Sequence, residues 1–203
     1  MSTGSSWSAR LRAATLEKHT PEDLLPDTQP AYVASWIYVF GILTLSALAM
    51  IIASGLVLTL RGPSWWHVST VGHYVNSVHL WIVELFFLFM VVHLWGKFWM
   101  AAWRGKRTMT WITGALSFLV SIITGFTGYV IQGNFDSQWI ATQGKDGFNA
   151  TGIGAYFNAL NTGQAILLHV SLLPLAVGAI VVAHVLLVRT HGVVPPIDAE
   201  EIK

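Results

Sequence analysis

The sequence predicts an all-α membrane protein: a four-transmembrane-helix bundle enclosing two haems, with a surface helix at its amino terminus. Three observations carry the bundle. The 203 residues are 54% hydrophobic and 10% charged, whereas an ordinary soluble domain carries about 25% charge. The charges cluster, leaving residues 28–60, 108–135 and 147–188 nearly free of them, and uncharged apolar runs above about 18 residues read as membrane spans. Histidines recur inside those runs at nearly constant spacing, which leads to the two cofactors.

Residues 1–30 form a cytoplasmic amino-terminal segment. Its partly amphipathic stretch, Ser6–Glu22, is expected as a helix lying on the membrane, followed by a proline-bounded linker, Pro26–Pro30. No apolar core follows a basic start, so this is not a signal peptide. The spans are expected at Tyr32–Leu60, Ser77–Met100, Trp111–Ile131 and Gln164–Val188, each long enough to cross about 30 Å of hydrocarbon. They make up a domain over residues 31–190, and residues 191–203 form a cytoplasmic tail ending in the acidic run Asp198–Glu201. The third connection, Gln132–Gly163, is rich in Gly, Asn, Thr and aromatics. Loops of that length are usually functional or disordered, and the aromatics favour an ordered segment at the membrane surface.

Nine of the eleven Lys and Arg lie in the two termini and the second connection, so the positive-inside rule places both termini in the cytoplasm. The net charge of +1 excludes a broad electrostatic surface for nucleic acid. With no Cys, the chain makes no disulfide, ligates no iron–sulfur cluster and binds no haem through thioether bonds.

Four of the eight His lie inside spans: His79 and His93 in the second, His169 and His184 in the fourth. A lone membrane His commonly bonds a neighbouring helix. The set is harder to dismiss. At 100° per residue, spacings of fourteen and fifteen keep each pair within about 60° of one face and spread it by about 21 Å along the axis. The second and fourth spans run in the same direction, so His79 should stand level with His169, and His93 with His184. Two facing imidazoles at two levels fit iron with paired axial His ligands, that is, two non-covalent b-type haems. A zinc site would gather four ligands closely, and a proton relay usually carries a carboxylate beside the His. Gly41 and Gly55 in the first span, and Gly114 and Gly128 in the third, repeat the fourteen-residue spacing. Their missing side chains would let a flat macrocycle approach the backbone. Glu84, the one charge well inside a span, lies five residues from His79, about 140° around the helix, and is expected to point away from the His face.

These pieces resemble the amino-terminal half of cytochrome b from the quinol-oxidising bc and bf complexes. The resemblance covers roughly residues 30–195. It includes Thr110-Trp111-Ile112-Thr113-Gly114, Phe126-Thr127-Gly128-Tyr129-Val130, Trp139 before Ala141-Thr142, and His169 with Pro174 five residues on. The fifteen-residue spacing and the stop near residue 200 resemble the short, split form of bf-type complexes, in which a separate subunit supplies the remaining helices. The resemblance implies that His79 and His169 hold a low-potential haem near the outer face, and His93 and His184 a high-potential haem near the cytoplasm. It implies a quinol-oxidation pocket around Tyr129, Gln132, Asp136 and Ile140, and a basic position for Arg189 near a quinone-reduction pocket. Ile140 matches a position that is small in mitochondrial-type members, where strobilurin-like inhibitors need room. The implied function is that of a dihaem subunit of a quinol:acceptor oxidoreductase, inactive alone. Its partners would be a carboxy-terminal cytochrome b part, a Rieske iron–sulfur protein, a cytochrome c-type subunit and membrane lipid, the whole forming a homodimer.

The chain departs from the family's pattern in three places. The usual Arg near the first His is missing, its neighbours being Tyr74, Asn76 and Leu80; Lys97 is the candidate partner for a propionate at the cytoplasmic haem. Ile131-Gln132-Gly133 replaces Leu-Pro-Trp after Gly-Tyr. The Cys that carries an extra haem in bf-type short forms is missing. Two other readings remain: a dihaem membrane anchor of another quinone-linked dehydrogenase, and a non-redox transporter with a His relay. The long third connection and the paired glycines weigh against the first. The transporter reading expects broken helices, of which the sequence gives no sign.

Overall fold

A computed structural model describes residues 6–18, 20 and 30–196. Most of the linker, and the acidic run 198–201, lie outside these residues. Among those described, the chain is all helical with no strand.

Helix α1, Trp7–Lys18, forms inside the expected segment. Its apolar residues make no single stripe, however: Trp7 and Leu16, both exposed, are nine residues apart and so about 180° around the helix. Four helices are long and apolar enough to cross a membrane. A 3-10 turn, Ala31–Ala34, leads into α2, Trp36–Arg61, which ends at Gly62 with φ +78°. The first connection is tighter than expected. It folds as a short helix, α3, Pro63–Val68, and α4 begins at Thr70 and runs to Trp99. Ser69 caps α4 by accepting from the Gly72 N–H at 3.3 Å, and Gly72 lets the α3 backbone lie directly on α4: a Cβ there would meet the Trp65 carbonyl oxygen at 2.5 Å. Helix α5 spans Thr108–Ile131. The third connection is ordered, as its aromatics suggested. Asn134 caps α6, Phe135–Ala150, and Phe126, Phe148 and Phe157 stack edge to face at 5.7 and 5.3 Å, pinning the segment to α5. The last span, α7, Thr162–His191, is capped by Asn161.

The spans pack as two antiparallel pairs, α2 along α4 and α5 along α7, and the pairs touch each other much less. One buried cluster ties together the ends of the spans remote from the termini, here called the outer ends, through Leu58, Trp66, Val130, Ile131, Ala141 and Ala165. A second, Ala47, Ile82, Phe86 and Met90, joins α2 to α4 near mid-membrane. At the end of the bundle that carries the termini, the segment after α7 is held down. The Tyr38 hydroxyl donates to the Val194 carbonyl at 2.8 Å, and Arg107 donates to the Gly192 and Val193 carbonyls at 3.3 and 3.4 Å. The space left between the two helix pairs is where the histidines point.

Candidate functional site

Helix α7 carries an irregularity that sets its register. Leu168–Leu172 is a π-helical turn inside the span, and such a turn absorbs one extra residue. In an ideal helix a fifteen-residue step ends about 100° further round than a fourteen-residue step. The π turn removes that difference, so His169 and His184 on α7 present themselves as His79 and His93 do on α4.

At the outer level His79 and His169 face each other, their ring centres 6.4 Å apart and their planes at 83°. A metal–imidazole bond is about 2.0 Å, and a ring nitrogen lies about 1.2 Å from its ring centre, so one iron between two imidazoles needs centres about 6.4 Å apart. The protonation of three of the four rings is set from behind. His169 Nδ1 lies 2.9 Å from the Thr124 carbonyl and His184 Nδ1 2.9 Å from the Thr110 carbonyl. A carbonyl only accepts, so each Nδ1 carries the hydrogen and each Nε2 keeps its lone pair for a metal. His79 Nδ1 lies 2.9 Å from the Ser54 Oγ. That hydroxyl donates its one proton to the backbone carbonyl of Met50 or Ile51 and so accepts from His79. His93 differs: its Nδ1 is buried with no hydrogen-bond partner among the described residues. Both His184 and Lys97 stand within electrostatic range of it.

The four spaced glycines face the imidazoles. A Cβ on Gly41 would stand 3.2 Å from the His93 ring, one on Gly55 3.2 Å from His79, one on Gly114 3.0 Å from His184, and one on Gly128 2.9 Å from His169 Nδ1 and closer still to its Cε1. Each of the four spaced glycines is thus matched to one of the four spaced histidines. Sequence reasoning missed the hydroxyls behind the rings, although a signal was present. Ser54, Thr113 and Thr127 each directly precede one of these glycines, and each touches the imidazole there, at 2.9, 3.2 and 3.4 Å. The fourth glycine, Gly41, follows Phe40, and its histidine is the one left without a partner.

A cavity of about 440 Å³ surrounds the outer pair, bounded by Gly55, Gly128, Asn76, Gln132, Tyr129 and Glu84 among others; ligand pockets usually span about 300–1,000 Å³. Glu84 borders the cavity and is exposed. Gln132 and Asn76 exchange hydrogen bonds at 2.9 and 3.2 Å. Tyr129 lines this same cavity, while Asp136 and Ile140 lie on α6 and are not part of its lining. Near the end of the bundle that carries the termini, the Lys97 ammonium sits 3.5 Å from the centre of the Tyr38 ring, and Arg189 is exposed in the last turn of α7.

Among the described residues, no group of three His, Cys, Asp or Glu converges to hold a bare metal ion. Two imidazoles suffice for an iron whose other four ligands come from a porphyrin. The spacing of the outer rings, their fixed tautomers and the cavity around them fit haem.

The fold and site define a class: helical membrane proteins in which paired imidazoles face each other between helices. Comparison with known proteins then identifies the family. A family model described as Cytochrome b(N-terminal)/b6/petB matches residues 84–203, and the chain belongs to that family as a cytochrome b of the bc/bf type. It is 26% identical over 189 residues to the menaquinol:cytochrome c reductase cytochrome b subunit of Bacillus subtilis (strain 168), covering 82% of this chain and 84% of the relative. It is 26% identical over 137 residues to cytochrome b6 of Oltmannsiellopsis viridis, covering 62% and 64% respectively. A solved structure titled Hyperthermophilic respiratory Complex III matches with a TM-score of 0.72 at 24% identity, covering 96% of this chain and 57% of that one, which supports the fold. Family membership implies haem, an interaction with quinol, and integration in a membrane as part of a larger complex.

Proposed function

We propose that this chain holds two b-type haems, one between His79 and His169 and one between His93 and His184. It would carry electrons from a quinol-oxidation site near the outer face to a quinone-reduction site near the cytoplasm. The outer imidazole pair carries the reading: opposed rings 6.4 Å apart, with Nδ1 of each engaged from behind, are two metal ligands waiting on either side of one atom. When bound, haem supplies the one-electron chemistry; the chain's own residues hold and tune it. Ser54, Thr124 and Thr110 orient the rings through Nδ1. Gly55, Gly128, Gly41 and Gly114 leave the rings room to stand between the helix pairs. Asn76 and Gln132 each use one amide hydrogen on the other and keep a second, so the pair can offer neutral N–H donors to the carboxylate arms of the outer haem. Lys97 serves the inner one.

The two levels, fourteen residues apart on α4, are separated by about 21 Å along the membrane normal, so each transfer between them moves charge across the bilayer. Nine of eleven basic residues on one side support cytoplasmic termini. Tyr129, Gln132, Asp136 and Ile140 remain candidates for the wall of the quinol pocket, and Arg189 for the quinone-reduction pocket. The chain has no Cys and so needs an iron–sulfur partner of the Rieske type to take the first electron. A subunit carrying the remaining cytochrome b helices, a cytochrome c-type subunit and a dimeric assembly complete the proposed complex.

The test is a reduced-minus-oxidised optical spectrum of the purified complex, with haem counted per chain. Two haems per chain, both removed by acid–acetone, are expected. One haem per chain, or haem that stays attached, refutes the proposal.

A further inference from the structure

Near the end of the bundle that carries the termini, one lysine has no counter-ion. Lys97 lies four residues beyond His93 on α4, one turn and about 6 Å further along the helix. It is partly buried, and no carboxylate among the described residues stands within electrostatic range of it. A cation drawn out of water is normally paired. Lys97 has two other contacts instead. Its ammonium donates to the Met100 sulfur at 3.7 Å and sits 3.5 Å from the centre of the Tyr38 ring.

The Tyr38 ring is fixed at both ends. It stands on α2 three residues before Gly41, about 4.5 Å along the axis from the glycine that meets His93. The two helices close tightly there: a Cβ on Gly96, next to Lys97, would run into the side chain of Ile37, next to Tyr38. Tyr38 is only 7% exposed. Its hydroxyl donates to the Val194 carbonyl at 2.8 Å, and the Tyr32 ring packs beside it with centres 5.8 Å apart. Val194 is itself buried, and Arg107 holds the carbonyls of the two residues before it. The chain after α7 thus pins the far end of the ring that carries the ammonium.

A carboxylate and a ring face hold an ammonium with different consequences. A carboxylate cancels the charge. A ring attracts it through its quadrupole and leaves the charge whole. The field of Lys97 reaches His93 with no anion to reduce it.

We propose that Tyr38 is a positioning residue for the inner level: its ring clamps the Lys97 ammonium beside the inner haem, and its bond to the Val194 carbonyl keeps the ring in place. The inference rests on the two-haem reading and on Lys97 as the partner of the inner haem. A lysine released from the ring extends towards water, where a higher dielectric weakens its pull on an electron. Removing the ring should therefore cost most of the effect of the charge while the charge itself remains.

Redox titration of the purified complex tests this. Tyr38→Leu should lower the reduction equilibrium of the inner haem about fivefold, which is about 40 mV at 59 mV per tenfold for one electron, and leave the outer haem in place. Tyr38→Phe keeps the ring and should titrate close to the wild type. In a Lys97→Gln background, Tyr38→Leu should have no further effect, because the two residues act as one unit. Phenylalanines of increasing ring fluorination at position 38 keep the packing and drain the negative face, so the midpoint should fall stepwise along the series. This series also decides the matter where Tyr38→Leu fails to assemble. A midpoint unmoved by Tyr38→Leu, an equal fall without Lys97, or a flat fluorine series overturns the inference while both haem signals persist. A wild type with no second haem signal would instead overturn the two-haem reading beneath it.

Discussion

The outer and inner imidazole levels are built on one plan and differ in their electrostatics. At the outer level both rings are held through Nδ1, and the cavity around them has a carboxylate and an amide pair but no Lys or Arg in its lining. At the inner level His184 is held, His93 has no partner for its Nδ1, and Lys97 stands within electrostatic range. A nearby cation favours the form of a haem that carries the extra electron, and a nearby anion disfavours it. The asymmetry gives the proposed transport its direction: an electron entering at the outer level moves towards the level where a cation stabilises it. Geometry repeats so that the same cofactor is held twice; charge differs so that the two sites have different potentials.

The largest expected effect removes one level and leaves the other. His79→Leu or His169→Leu should abolish the outer haem alone, and His93→Leu or His184→Leu the inner alone, read as halved haem per chain with one optical component left. Loss of both signals from a single substitution would show that the levels do not assemble independently.

Next is the comparison of glycines. Gly128→Ala puts a methyl 2.9 Å from His169 Nδ1, whereas Gly41→Ala puts one 3.2 Å from His93. Overpacking costs about 1–3 kcal/mol, so Gly128→Ala should displace the His169 ring and deplete the outer haem, while Gly41→Ala should keep the inner haem with a perturbed spectrum. Equal haem content in the two variants contradicts this ranking.

Lys97→Gln bears on the electrostatic contrast directly. Two charges about 10 Å apart interact by about 1–2 kcal/mol at an effective dielectric of about 20. The inner haem's midpoint should fall correspondingly and the outer one stay in place. Redox titration measures both in one sample, and an unmoved inner midpoint removes Lys97 from the account.

The smallest effect is Ser54→Ala. It takes from His79 a hydrogen bond worth about 0.5–1.5 kcal/mol and makes the outer level resemble His93. Outer haem affinity should weaken by about tenfold, the low end for partners of this kind. Competition with a haem-binding apoprotein gives the value, and unchanged affinity would mean that Ser54 merely fills space.

The bundle was legible because a bilayer demands long uncharged helices, and composition alone shows them. All four spans appear. The first begins at Trp36, four residues later than expected, and α4 begins at Thr70 because Ser69 caps it, seven residues before the first residue expected. The four histidines and four glycines were legible for a related reason. A flat rigid cofactor between straight helices imposes one repeat on every helix that touches it.

The sequence by itself determined which helices form, how many cross the membrane, and which side chains recur on a common face, because these follow from hydropathy and from the 3.6-residue period of one chain segment. Only the tertiary structure decided which hydroxyl or carbonyl stands behind each imidazole, that the Asn76 and Gln132 amides pair with each other, and that Glu84 and Ser121 border one cavity. Each of those facts joins residues on different helices, up to 74 positions apart for Thr110 and His184. The π turn that contains His169 belongs with them. A spacing of fifteen matches a spacing of fourteen only after one residue is absorbed in the helix, and no count along the sequence shows where that happens.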